Sequence, residues 1–157
     1  MSFQLSDESK KQIEEIFKRY PHKRAATLPI LHVIQKEHGY IPEEAEPFVA
    51  ELVEEPPVKI REVILFYTMF QTKPIGKYHF QVCHTVSCWL RGAKEIIEHL
   101  ENRLNIKSGE TSDDQKFTIT EVECLGACEI APMMQLNDDY IGPLTREKID
   151  EILEKLQ

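Results

Sequence analysis

The chain is 157 residues long and carries 27 Asp and Glu against 19 Lys and Arg, a formal net charge of −8, and this acidic balance argues against a nucleic-acid or anionic-membrane surface. Hydrophobic residues make up 41%, ordinary for a globular protein of one domain or two small ones that folds without staples. No apolar run approaches the roughly 20 residues needed to cross a bilayer, and the opening MSFQLSDESKK has no apolar signal core and is too acidic for a transit peptide, so a mature intracellular protein is expected.

Residues 1–74 read as a helical domain. Ser6 is placed to cap a first helix whose opening turn carries Asp7 and Glu8, suited to the positive end of its dipole. Ile13, Ile16, Phe17 and Tyr20 follow as one apolar stripe, and Pro21 stops it. A second helix is predicted over Leu28 to His38, with Pro29 in its first turn and Gly39 as its C-terminal stop. A third follows Pro42, with Glu43 and Glu44 in its first turn and Phe48, Val49, Leu52 and Val53 on its inner face. Val58 to Phe70 is ambiguous, because Val63 to Tyr67 has the propensity of a strand. A helix is expected there, since three short helices need a fourth element to bury their stripes.

Thr72 to Gly76 reads as a hinge, and residues 75–157 as a second domain. Lys77 to Val82 alternates as a strand ending at Cys83, and Leu90, Ala93, Ile97 and Leu100 mark a helix starting just after Cys88. Lys107 to Lys116 is a polar loop, and Phe117 to Glu123 is a second strand ending at Cys124. Met133 to Leu136 and Tyr140-Ile141 flank Asn137-Asp138-Asp139 as a hairpin. Thr145 caps a last helix with Ile149, Ile152, Leu153 and Leu156 facing inward. The order β-α-β-β-β-α makes a small mixed sheet flanked by helices, so the whole chain is of the α+β or α/β class.

The four cysteines fall into two close pairs, Cys83 and Cys88 as C-x4-C and Cys124 and Cys128 as C-x3-C. Inside a cell such pairs point to metal ligands or redox groups rather than structural disulfides. Both pairs follow predicted strands, whose rigid ends let the loops curl around a metal centre. Cluster sulfurs need N–H donors, and Gly126 allows the backbone of Cys124-Leu125-Gly126-Ala127-Cys128 to turn several toward them. The four-iron pattern of three clustered cysteines is absent, as is the plant-type C-x4-C-x2-C, and a Rieske centre needs two histidines where only His84 adjoins a cysteine. Spacing alone leaves a 2Fe–2S cluster and a zinc ion both open; a redox disulfide is third, since its usual motif is C-x-x-C.

The flanking residues carry a resemblance. Val82-Cys83-His84-Thr85-Val86-Ser87-Cys88-Trp89-Leu90-Arg91-Gly92-Ala93 and Glu123-Cys124-Leu125-Gly126-Ala127-Cys128-Glu129-Ile130-Ala131-Pro132-Met133-Met134-Gln135-Leu136-Asn137-Asp138 closely resemble the family of 2Fe–2S subunits of NADH:quinone oxidoreductases (respiratory complex I). Gln35 to Pro42 and Phe66 to Phe70 resemble that family's helical region. The resemblance covers nearly the whole chain and looks bacterial. It implies a thioredoxin-like domain after the helical one, and one 2Fe–2S cluster on Cys83, Cys88, Cys124 and Cys128, with one iron on each pair. It implies a partner flavoprotein subunit that binds FMN and NADH, and further peripheral-arm iron–sulfur subunits. It also implies a cytoplasmic place, peripheral on the inner membrane through the complex. Alternatives are the equivalent subunit of an NAD-linked hydrogenase or formate dehydrogenase, or a structural zinc adaptor. The chain has no G-x-G-x-x-G fingerprint or phosphate-cradling loop, so it is expected not to bind NADH by itself.

Several residues admit two readings. Gly92, inside the predicted helix, marks either close approach to the cluster loop or tight helix–sheet packing. Trp89 is either a shield for the cluster or domain core, Met133-Met134 is core filling, and His84 is a solvated loop residue. Pro132 is a candidate cis proline. Phe66, Tyr67, Met69 and Phe70 either face the flavoprotein or bury the helical core, the latter for at least half of them.

Overall fold

In the computed structural model, which describes residues 3–156, the first helix, α1 (Asp7–Arg19), opens at Ser6, whose hydroxyl accepts the Ser9 N–H at 3.2 Å. It ends at Tyr20, which takes the extended backbone that a residue before proline prefers. Tyr20 therefore leaves the predicted stripe and is exposed, while Ile13 is buried and Ile16 and Phe17 pack at the edge of the core.

A 3-10 turn (Lys23–Ala26) leads into α2 (Thr27–His38), which ends on Gly39 at φ 79°, a left-handed stop that glycine adopts freely. Helix α3 (Ala45–Val53) starts later than predicted. Glu43 and Glu44 lie in the turn before it, where the Ala45 and Glu46 N–H groups bond back to Pro42 and Glu43, so the acid in its first turn is Glu46. The ambiguous stretch is helical: α4 (Pro57–Phe66) has proline at its first position, where a missing N–H is harmless. It stops four residues short of the predicted end. Gln35 fixes the segment beyond, donating to the Met69 carbonyl at 2.9 Å and accepting the Gln71 N–H at 2.7 Å. Phe70 is buried and Tyr67 packs on the core, whereas Phe66, 77% exposed, and Met69 face outward.

The chain divides into two compact units, Met1–Pro74 and Ile75–Gln157. The second carries Gly76 near its start, where an added Cβ would sit 2.7 Å from the Phe117 backbone, so only glycine fits. Its strands are β1 (Tyr78–Cys83), β2 (Phe117–Val122), β3 (Met134–Leu136) and β4 (Asp139–Ile141). They form one mixed sheet in the order β2-β1-β3-β4, with β1 and β2 parallel and the other pairs antiparallel. Asn137, at φ 53°, and Asp138 turn β3 into β4; Asp139 belongs to the strand rather than the turn. Between β1 and β2 come α5 (Val86–Leu90) and α6 (Ala93–Leu104), and α7 (Arg146–Leu156) closes the unit.

The predicted single helix after Cys88 is thus two. Gly92, at φ 91°, breaks it, so this glycine is a junction and not an interior residue. Leu90, assigned to the inner stripe, is exposed on α5. Thr145 caps α7 as expected, accepting the Lys148 N–H at 3.2 Å. Phe80, Val82 and Ile119 of the sheet pack with Ile96, Leu100 and Ile149 of α6 and α7. A helical unit followed by a small mixed sheet flanked by helices is the expected fold class. No helix among the described residues is long and apolar enough to cross a membrane.

Candidate metal centre

Parallel pairing of β1 and β2 brings their carboxyl ends to the same edge of the sheet, with Cys83 in register with Val122. Cys83 is the last residue of β1 and Cys88 lies inside α5, rather than before a helix. Cys124 follows β2 by two residues, and Cys128 opens a 3-10 turn, Cys128–Ile130. Both cysteine segments contribute to one small apolar cluster: Cys83 and Cys88 with Ala93 from the first, Ala127 from the second, then Ala131 and Met133. Cys83 and Cys88 are buried, Cys124 and Cys128 exposed, and all four are free thiols.

The backbone and one hydroxyl supply hydrogen-bond partners for the sulfurs. Gly126, at φ 78° with open space where a Cβ would go, donates its N–H to the Cys124 sulfur at 3.4 Å. The Thr85 hydroxyl lies 3.3 Å from the Cys83 sulfur. Burial pushes the Cys83 thiol up, but hydrogen bonds from the Thr85 hydroxyl and the Thr85 and Leu125 N–H groups outweigh it and hold Cys83 below the usual thiol value. Cys88 goes the other way. Burial and the neighbouring Cys83 and Cys128 push it up to about 11, against the opposing bond from Met133. These effects place Cys83 and Cys128 each within electrostatic reach of Cys88. Among the described residues no three His, Cys, Asp or Glu side chains converge on the position of a single ion. The thiols of Cys83, Cys88 and Cys124, each accepting at least one backbone N–H, suit an iron–sulfur cluster, whose sulfurs need such donors.

Two further side chains tie the cysteine segments together. Arg91, just after α5, donates to the Ala131 carbonyl at 3.0 Å, and Tyr140 of β4 donates its hydroxyl to the Leu125 carbonyl at 2.9 Å. Neither was singled out by sequence reasoning, nor was Thr85. The other readings sort by exposure. Trp89 is 62% exposed, so it is not domain core. It lines an open cleft of about 350 Å³ with His84, Lys94, Glu98, Glu101 and Glu121. Met133 and Met134 are buried as core filling. His84 is a partly exposed loop residue 3.6 Å from Glu123. Ala131–Pro132 is cis, and so is Gly142–Pro143, which sequence reasoning did not pick out.

Comparison with known proteins agrees with this chemistry. The E subunit of NADH-quinone oxidoreductase from Rickettsia conorii is 49% identical over 147 residues, 92% of this chain and 88% of that protein. An E subunit of NADH-quinone oxidoreductase from Rhizobium meliloti is 45% identical over 148 residues, 94% of this chain and 88% of that one. Among solved structures, an NAD+-reducing [NiFe]-hydrogenase in the air-oxidized state superposes with a TM-score of 0.74 at 24% identity, over 84% of this chain. This chain spans only 23% of that one, and the likeness speaks to the fold alone. Residues 13–157 match the family model described as thioredoxin-like [2Fe-2S] ferredoxin, and the chain belongs to that family.

Proposed function

We propose that this chain is the one-electron carrier subunit of an NADH-quinone oxidoreductase, and that Cys83, Cys88, Cys124 and Cys128 hold its 2Fe–2S cluster. The observation that carries the reading is that the two pairs of free thiols follow the parallel strands β1 and β2 at the same end of the sheet, with backbone N–H donors on the Cys83, Cys88 and Cys124 sulfurs. The identity of 45–49% to those two oxidoreductase relatives along nine-tenths of the chain supports the assembly. When bound, the cluster takes up and releases one electron at a time. The chain's residues bury one pair of thiols in an apolar cluster, leave the other pair at the surface, and donate hydrogen bonds that favour the sulfur charge.

The partner is the flavoprotein subunit that holds FMN and NADH, since a flavin accepts a hydride pair and hands on single electrons. Further iron–sulfur subunits complete the assembly, which keeps this chain peripheral on the cytoplasmic face of the inner membrane. Cys83 and Cys88 would hold one iron, and Cys124 and Cys128 the other. Anaerobic purification, with iron and acid-labile sulfide analysis and EPR of the dithionite-reduced protein, tests the cluster. Two irons and two sulfides per chain with a reduced-state EPR signal are expected; a colourless protein holding one zinc and no sulfide overturns it. The alternative assembly is that of an NAD-linked hydrogenase, of which one solved example shares this fold. Co-purification with a nickel-bearing subunit, rather than a quinone-reducing complex, selects it.

A further inference from the structure

The Leu125–Gly126 peptide lies midway between Cys124 and Cys128 and is held at both ends. Its carbonyl accepts the Tyr140 hydroxyl at 2.9 Å, and its N–H donates to the Cys124 sulfur at 3.4 Å. In a trans peptide the C=O and N–H point in opposite directions, so fixing one aims the other. Nothing in the loop itself would do so. Gly126 sits at φ 78° with no atom within 4 Å of a would-be Cβ, and glycine adopts positive and negative φ about equally well. The peptide is thus free to rotate at small steric cost unless something outside the loop grips it. Tyr140 comes from outside, on β4, where register pairing with Gln135 of β3 fixes its backbone.

We propose that Tyr140 is a positioning residue for the cluster site: its hydroxyl locks the Leu125–Gly126 peptide so that the Gly126 N–H stays on the Cys124 sulfur. The proposal rests on the reading of Cys124 as a cluster ligand. An N–H donor on a ligand sulfur favours the more negative, reduced form of the cluster and so raises its reduction potential. Loss of the Tyr140 hydroxyl releases the peptide and lowers the potential.

The test compares wild-type protein with Tyr140→Phe, which keeps the ring and removes only the hydroxyl. Redox titration followed by EPR should show the reduced-to-oxidised ratio at a fixed ambient potential falling about three- to tenfold, a downward shift of about 30–60 mV at 59 mV per tenfold for one electron. In the cluster-free chains, NMR should show solvent exchange of the Gly126 amide at least threefold faster in the variant. The Gly109 amide, bonded to the Ile119 carbonyl at 2.7 Å, is the unchanged reference. A variant that loads its cluster and keeps the wild-type potential and EPR signal overturns the proposal. If the variant fails to load, the exchange measurement decides: faster exchange at Gly126 supports the lock and unchanged exchange overturns it. A wild-type chain that holds no iron or sulfide overturns the reading of the site, and the redox part of the proposal with it.

Discussion

Cys124 has little around it to substitute for its sulfur: it is exposed, in a loop, with the Gly126 N–H as its hydrogen-bond partner. Cys124→Ala should therefore abolish or severely destabilise the cluster, because solvent is a poor replacement for a thiolate on iron; an unaltered EPR signal in that variant would exclude Cys124 as a ligand. His79 makes a different prediction. Its ring is buried with Nε2 2.8 Å from the Thr120 hydroxyl, and burial lowers its pKa from 6.5 to about 4. The folded protein keeps the ring neutral where the unfolded chain already protonates it. Its contribution is therefore complete above about pH 6.5 and is lost as pH falls to about 4, in total about 3 kcal/mol. Urea unfolding of wild-type and His79→Gln proteins between pH 7 and pH 4 should show the variant losing less stability by about that amount. The paired cysteines were legible in the sequence because ligand pairs sit close along the chain. Tyr140 was not, because it meets Leu125 across 15 positions and only the β3–β4 register brings it there.

Among the elements, those with strong periodicity and a capping residue were legible, as α1 after Ser6 and α7 after Thr145 show. Val63 to Tyr67 carried strand propensity, yet most of it is helix α4: burial of Ile60 and Ile64 in the helical core overrides local preference. The break between α5 and α6 has a sharper lesson. Leu90, Ala93, Ile97 and Leu100 have helical spacing across a break that apolar pattern alone does not reveal, because Gly92 turns left-handed and shifts the phase. A glycine inside a helix would gain about 1 kcal/mol on replacement by alanine. Gly92→Ala should instead lose about 1 kcal/mol, since a Cβ is strained at φ 91° and would meet the Glu95 carboxylate at 3.1 Å. Gly92→Asn should lose less, as asparagine tolerates the left-handed region better. The sign of the alanine effect in a urea titration separates a junction from an interior position.

At the scale of the whole molecule, each unit has an apolar core of its own, one among α1 to α4 and one between the sheet and α6 and α7. All four cysteines lie in the second. Residues 75–157 expressed alone should therefore take up two irons and two sulfides on anaerobic reconstitution, as read by metal analysis and visible absorption, while residues 1–74 should take up none. Uptake only by the full chain would show that the second unit is not self-sufficient. The uneven burial of the two cysteine pairs means that damage has a direction. Small electrophiles reach Cys124 and Cys128 first, while Cys88 is shut in and its proton tightly held. In the cofactor-free chain, brief iodoacetamide treatment followed by peptide mass mapping should find the Cys124 and Cys128 peptides alkylated well before the Cys88 peptide. The same asymmetry makes the outer pair the side from which chelators and oxidants would dismantle the centre, so whatever partner covers that loop would also be its protection against wear.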